Sequence, residues 1–198
     1  MRYLKDNPLT VVFLLVCLSV FAVAQLTDPE NIRFLALDSA ELPERWYTLV
    51  TTGFVHVDYN HIIVNMLVLL WVGTWVERLI GSARFAVLVF TAILAGSLTI
   101  VVRGTAGIGF SAAAAAILFY YHVAFPWERE LPLKIPNIVL PIVLFLGSVA
   151  AAVFGWLPSV GHYPHLAGAV VGLLFLGVFR SHHRPLDDET REPAPERE

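Results

Sequence analysis

The feature that most constrains this chain is a series of long apolar runs that contain few or no charged residues. Of the 198 residues, 57% are hydrophobic and 15% are charged, whereas soluble domains carry about 25% charge. A run of roughly 20 apolar residues can cross a bilayer as a helix, which satisfies its own backbone hydrogen bonds. The sequence therefore predicts an all-α polytopic membrane protein.

Composition also excludes several classes of function. The net charge is −3, and the sequence has no basic patch of the kind that binds nucleic acid. Cys17 is the only cysteine, so neither an internal disulfide nor a cysteine-pair metal site can form. The lipid bilayer is the one partner that composition predicts.

Six apolar runs are candidates for membrane spans. They cover residues 8–24, 56–79, 85–102, 111–125, 138–156 and 163–179. Together they predict one membrane domain, residues 1–180, followed by a charged, proline-rich tail, residues 181–198, which is predicted to be disordered. The first run also fits a signal peptide, because basic residues precede it and small residues end it. Its length of about 17 residues favours retention as a span.

The distribution of positive charge predicts the orientation of the spans. Six spans place both termini on one side of the membrane. If that side is cytoplasmic, ten of the 13 Lys and Arg residues lie on it, and only Arg33, Arg45 and Arg103 lie opposite. Since cytoplasmic loops are enriched in Lys and Arg, we expect both termini in the cytoplasm and the protein in the cell membrane. The long loop 27–46 is then external, and its mixed pattern predicts short interfacial helices.

The second predicted span carries polar side chains near its start. His61 and Asn65 are four residues apart and therefore share one helix face, and His56 precedes them at the entrance of the span. Polar or ionisable groups inside a membrane are costly, so each is a candidate functional residue. The structural alternative is a hydrogen-bonded cluster that holds the external loop, and this alternative is favoured for His56.

Two further residues predict nucleophilic chemistry. Ser111 follows a glycine-rich segment at the start of the fourth span, and His165 lies three residues before Gly168 in the sixth. Gly168 and Gly172 form a GxxxG face, which is typical of closely packed membrane helices. The face of the fourth span that carries Ser111 and Ala115 is the predicted partner surface. A contact across this seam would let His165 act as general base for Ser111.

This arrangement would form a dyad, because the last two spans contain no Asp or Glu to orient the histidine. Acyl transfer also needs donors aimed at the oxyanion. His61, Asn65 and the backbone N–H of Ser111 are the predicted donors. A lone membrane serine more often hydrogen-bonds within its own helix, and a lone histidine is more often structural. Asp58 and His162 are interpreted as solvated, and Ser97, Ser148 and His122 as structural.

These motifs resemble the rhomboid family of intramembrane serine proteases. The resemblance covers roughly residues 8–179. The matching segments are the second-span stretch from His56 to Asn65, Gly73, the stretch from Glu77 to Gly81, Gly109-Phe110-Ser111, and the stretch from His165 to Gly168. The resemblance implies a six-transmembrane-helix rhomboid-like bundle with Ser111 as nucleophile and His165 as base. It also implies an oxyanion site at His61 and Asn65, supported by His56, and a water-filled cavity that opens outward. The first loop would lie partly in the outer leaflet, and the fifth helix would gate substrate entry.

Three positions depart from the family pattern. Ala112 follows Ser111 where relatives usually have glycine, and Ala115 stands where a tyrosine often packs on the histidine. The Trp-Arg pair of the first loop is also out of register, because Trp46 follows Arg45 here. We therefore expect the packing of His165 and the anchoring of the first loop to differ in detail.

The sequence as a whole predicts a serine endopeptidase that cleaves single-span transmembrane proteins in or near their membrane segments, without a metal or cofactor. One alternative is a rhomboid-like pseudoprotease that binds transmembrane segments without cutting. A second is a metal-binding membrane protein that uses His56, His61, His162 and His165, although no HExxH motif is present. A third is a small transporter, for which no inverted repeat is visible. The sequence leaves the oligomeric state open.

Overall fold

Apolar runs in this chain become helices because the helix pairs every backbone N–H and C=O within one segment. The computed structural model describes residues 7–130, 134–157 and 160–183. Its helices are α1 (Pro8–Leu26), α2 (Thr48–Thr51), α3 (Tyr59–Val68), α4 (Thr74–Ile80), α5 (Ser82–Val102), α6 (Ser111–Ala124), α7 (Val139–Phe154) and α8 (His162–Phe179). Two short strands, β1 (Leu37–Asp38) and β2 (Ala106–Gly107), form an antiparallel pair.

The second predicted span is a single helical unit with a wider turn in its middle. A π-helical segment, Leu69–Gly73, joins α3 to α4, so the unit runs from Tyr59 to Ile80. Among the described residues, four helical stretches are long and apolar enough to cross a membrane: Pro8–Leu26, Tyr59–Ile80, Ser82–Val102 and His162–His182. The apolar helices α6 and α7 are shorter, with 14 and 16 residues. The helical membrane fold is therefore confirmed, and the count of six spans stays a prediction.

The first helix is held to the bundle by a buried carboxylate. Glu77 in α4 is 1% exposed and accepts hydrogen bonds from the backbone N–H groups of Leu9 and Thr10, at 3.0 and 2.8 Å. It also accepts from the hydroxyl groups of Thr10 and Ser82, at 2.8 and 2.7 Å. The N–H groups in the first turn of a helix have no acceptors within the helix. The Glu77 carboxylate therefore supplies acceptors for these groups in α1. The retention of the first span stays a prediction.

Helix α6 lies at the centre of the bundle, and ten of its 14 residues are buried. A Cβ added at Gly168 would overlap the backbone carbonyl of Ala112, and one at Gly172 would overlap that of Ala116. The predicted close seam between the fourth and sixth spans is therefore present. Its register is one residue further along α6 than predicted, because Ala112 and Ala116 form the contact. The Ser111 and Ala115 edge faces a cavity instead.

The long first loop contains short helices, as its mixed pattern predicted. A 3₁₀ helix spans Pro29–Leu35 and another spans Ser39–Glu41. Arg45 pairs with Glu41 and donates to the backbone carbonyl of Arg33. This arginine therefore anchors the loop although its neighbouring tryptophan, Trp46, is 71% exposed.

Ordered helical structure is described slightly beyond residue 180, and the predicted domain boundary itself stays a prediction. A 3₁₀ helix covers Arg180–His182, and the ring of His183 bonds the Tyr120 hydroxyl at 2.9 Å. Helical structure thus continues to His182, two residues past 180. The predicted disorder of the tail concerns residues 184–198, which lie outside the described residues.

Candidate active site

The segment that leads into Ser111 is fixed by the first loop. Thr52 is buried, and its hydroxyl donates to the Gly107 carbonyl at 2.6 Å and accepts from the Leu37 N–H at 3.2 Å. The Thr52 carbonyl accepts from the Gly109 N–H at 2.9 Å. Together with the β1–β2 pair, these bonds set where α6 begins, and Ser111 is its first residue.

The start of the second span is set by an N-cap. The Asp58 carboxylate accepts the backbone N–H of His61 at 2.7 Å, so Asp58 is the cap of α3 and not merely a solvated residue. The His61 ring lies directly over Gly109, where a side chain would overlap it. Gly109 also has φ +113°, a conformation that favours glycine. This glycine therefore lets the His61 ring approach the start of α6.

Asn65 and His56 form a buried polar pair beside the same helix end. The Asn65 side-chain NH₂ lies 3.2 Å from His56 Nε2 and donates to the His61 carbonyl at 3.0 Å. His56 is fully buried, and its Nε2 accepts the Phe110 N–H at 3.3 Å. His56 therefore connects Asn65 to the residue that precedes Ser111, and its supporting role stays a prediction.

Two cavities meet at these residues. The large cavity has a volume of about 1030 Å³, and the residues predicted for catalysis and oxyanion binding all line it: His61, Asn65, Ser111 and His165. The apolar cavity has a volume of about 160 Å³ and is also lined by Asn65, Ser111 and His165. The structure thus brings the four residues together from α3, α6 and α8. Their chemical roles stay predictions.

The other two histidines that line the large cavity, His162 and His165, differ in their surroundings. His165 is half-buried on α8, one turn before Gly168, so the close α6–α8 seam fixes its position relative to Ser111. His162 was predicted to be solvated, and this is wrong. It is 9% exposed, and its Nε2 lies 3.0 Å from the Trp156 carbonyl and 3.2 Å from the Leu157 carbonyl. It therefore holds the turn before α8.

Two of the three residues interpreted as structural, Ser97 and His122, have structural partners. The Ser97 hydroxyl donates to the Leu49 carbonyl at 2.8 Å, and His122 Nδ1 lies 2.9 Å from the Leu118 carbonyl. Over residues 7–130, 134–157 and 160–183, no group of three or more His, Cys, Asp or Glu side chains is arranged to hold a metal ion. The metal-binding alternative therefore has no ligand set in this part of the chain.

Thr52 and Glu77 are the important residues that sequence reasoning missed. Glu77 was noted only as part of the matching stretch from Glu77 to Gly81, yet a carboxylate inside an apolar span was a signal for a buried hydrogen-bonded group. Thr52 gave no such signal, because threonine is common in loops and its partners lie 15 and 55 residues away.

A bundle of apolar helices with a serine, a histidine and an asparagine at one cavity defines a class of polytopic membrane proteins. Residues 43–182 match the family model described as the Rhomboid domain. The chain belongs to the rhomboid family.

Curated relatives agree with this assignment. "Rhomboid-type serine protease 2" of Emericella nidulans is 31% identical over 155 residues, which are 74% of this chain and 29% of that protein. "Rhomboid-like protein 14, mitochondrial" of Arabidopsis thaliana is 28% identical over 143 residues, covering 65% and 42%. "Rhomboid protease GlpG" of Serratia proteamaculans is 25% identical over 190 residues, covering 93% and 67%. The chain thus spans less than half of the first two relatives.

Proposed function

We propose that this protein is an intramembrane serine endopeptidase that cleaves single-span transmembrane proteins in or near their membrane segments. The observation that carries the proposal is that Ser111, His165 and Asn65 line the same cavities at the start of α6. The proposal is also supported by the names of two relatives, a rhomboid-type serine protease and a rhomboid protease.

The proposed reaction is an acyl transfer through Ser111. As Ser111 Oγ attacks the scissile carbonyl, the neutral His165 ring accepts its proton and then delivers it to the leaving amine. The ring N–H of His61 and the Ser111 backbone N–H stabilise the oxyanion, and the Asn65 NH₂ joins them by exchanging its bond to the His61 carbonyl for one to the oxyanion. Ser111 begins α6, so the positive end of the helix dipole also faces this charge.

Water and substrate would reach the site by different routes. The large cavity is wide enough to deliver the water that hydrolyses the acyl-enzyme. Helix α7 has only Pro141 and Ala151 buried, the fewest of the helices that line the site. We infer that a substrate segment enters between α7 and α3. The proposed setting is a cell membrane with both termini cytoplasmic.

Replacing Asn65 by alanine should lower the turnover number for a single-span reporter in proteoliposomes by about 10²–10³, the typical cost of one oxyanion donor. A matched control is Asn31→Ala, since Asn31 is exposed in the first loop and lines neither cavity. Turnover within twofold of wild type for Asn65→Ala would remove this residue from the oxyanion site.

The same assay separates the protease from the pseudoprotease and the metal-dependent alternatives. Wild-type protein should release the cleaved reporter, and a chelator should leave the rate unchanged. Binding of the reporter without any product would favour the pseudoprotease. Inhibition by the chelator would favour a metal site.

A further inference from the structure

Arg103 directly follows α5 and lines the large cavity that Ser111 and His165 also line. Its guanidinium group lies over the ring of Tyr163 on α8, with 3.9 Å between Cζ and the ring centroid. A guanidinium group stacked in this way uses the face of its plane, while its N–H groups point outward from the edge. The contact therefore holds Arg103 in place and leaves donors for a further partner.

Arg103 differs from the other two arginines that are predicted to lie on the same side of the membrane. The Arg33 guanidinium lies 3.8 Å from the Glu30 carboxylate and 3.2 Å from that of Glu41, and Arg45 also pairs with Glu41. In the part of the chain that the structure describes, no carboxylate pairs with Arg103, whose side chain is exposed. Because arginine stays charged at physiological pH, the cavity carries a permanent positive charge.

The charges of the cavity wall indicate which ligand Arg103 would bind. Among the described residues that line the large cavity, Arg103 is the only Lys or Arg, and Asp58 is the only Asp or Glu. The Asp58 carboxylate already accepts the backbone N–H of His61 as the cap of α3. A carboxylate ligand would be repelled by Asp58 and attracted to Arg103, which can bind it through two parallel hydrogen bonds. The arrangement favours an acidic side chain on the Arg103 side of the cavity.

We propose that Arg103 binds an acidic side chain of the substrate, on the part of the substrate that leaves the membrane at the Ser111 end of the bundle. This inference rests on the proposed protease function, because the ligand belongs to the segment that is cleaved. A lipid phosphate has similar chemistry, but Arg103 shares its cavity with Ser111, which favours the substrate over a lipid. Arg103 then affects substrate choice and takes no part in the chemical steps.

The test uses single-span reporters that carry either Glu or Gln on the flank that leaves the membrane at the Ser111 end. The replaced position is moved along about eight residues from the scissile bond, a stretch of about 25 Å when extended. With wild-type protein, Glu at one or more neighbouring positions should raise kcat/KM about threefold to tenfold over Gln. Added salt should lower this ratio, because it screens the charges of exposed groups.

Two variants of Arg103 and one control show whether this side chain causes the preference. Arg103→Gln should bring the ratio of Glu to Gln reporters to near one. Arg103→Glu should reverse the ratio and should favour a reporter with Lys at the same position, because the two charges are then exchanged. Arg33→Gln is the matched control, since it removes an equal charge from a residue that does not line the cavity, and it should keep the wild-type ratio.

Binding of the same reporters to Ser111→Ala protein in a neutral detergent tests the site without catalysis. The Glu reporter should bind about threefold or more tightly than the Gln reporter, and adding Arg103→Gln should remove the difference. If wild-type protein cleaves no reporter but this difference is observed, the protease proposal fails and the carboxylate site stands.

Three results would overturn the carboxylate site. The first is equal binding and equal cleavage of Glu and Gln reporters at every position. The second is a preference for Glu that survives Arg103→Gln. The third is a rate that depends on Arg103 and on anionic lipid in the vesicles but not on the charge of the reporter, which would assign this arginine to a lipid phosphate instead.

Discussion

Replacing His165 by alanine should lower kcat for cleavage of a transmembrane reporter by about 10²–10⁴, the usual contribution of a positioned general base. The loss arises because Ser111 then has no side chain to accept its proton. The measurement is product formation in proteoliposomes with protein whose thermal unfolding in detergent matches wild type. His183→Ala is the matched control, because His183 bonds Tyr120 at the carboxyl-terminal end of the described chain and does not line either cavity. Unchanged kcat in His165→Ala would exclude the dyad.

Replacing Gly168 by alanine should destabilise the bundle by about 1–3 kcal/mol or more, because overpacking forces the surrounding backbone to move. The added methyl group would overlap the Ala112 carbonyl, and backbone atoms cannot rotate away as a side chain can. The α6–α8 seam would have to open, which would also separate His165 from Ser111. A misplacement of about 1 Å can cost 10²-fold in rate.

Gly177→Ala provides a matched control for this prediction in the same helix. A Cβ at Gly177 has no neighbouring atom within 4 Å, and alanine is favoured over glycine in a helix by up to about 1 kcal/mol. Thermal unfolding in detergent and the cleavage rate should therefore be near wild type or better for Gly177→Ala. Equal stability and activity of the two variants would show that α6 and α8 are further apart than described.

The helices could be predicted from the sequence because membrane spans depend on local composition. Predicted and observed boundaries differ by a few residues for all six apolar runs, for example 85–102 against Ser82–Val102. The GxxxG motif also predicted the α6–α8 seam, since glycine spacing records close approach directly. The register of that seam was one residue off, because alanines fill positions 112–116 of α6 and offer several small faces.

The partners of the polar groups were harder to predict. His61, Asn65, Ser111 and His165 were recognised because polar residues in apolar runs are conspicuous. The contacts that position them come from the loops. Thr52 holds the 107–109 segment, and Asp58 caps the helix that carries His61. The Thr52 contact joins residues that are distant in sequence, and the Asp58 contact involves an exposed residue. Neither periodicity nor composition therefore indicates these contacts.

The central claim is that Ser111 is an activated nucleophile, and labelling with a fluorophosphonate probe tests it most directly. Wild-type protein in detergent or lipid should form a covalent adduct whose mass and modified peptide identify Ser111. Ser111→Ala should lose the label, while Ser148→Ala, which removes the other serine lining the apolar cavity, should keep it. Labelling that survives Ser111→Ala, or no labelling of folded wild-type protein, would contradict the account.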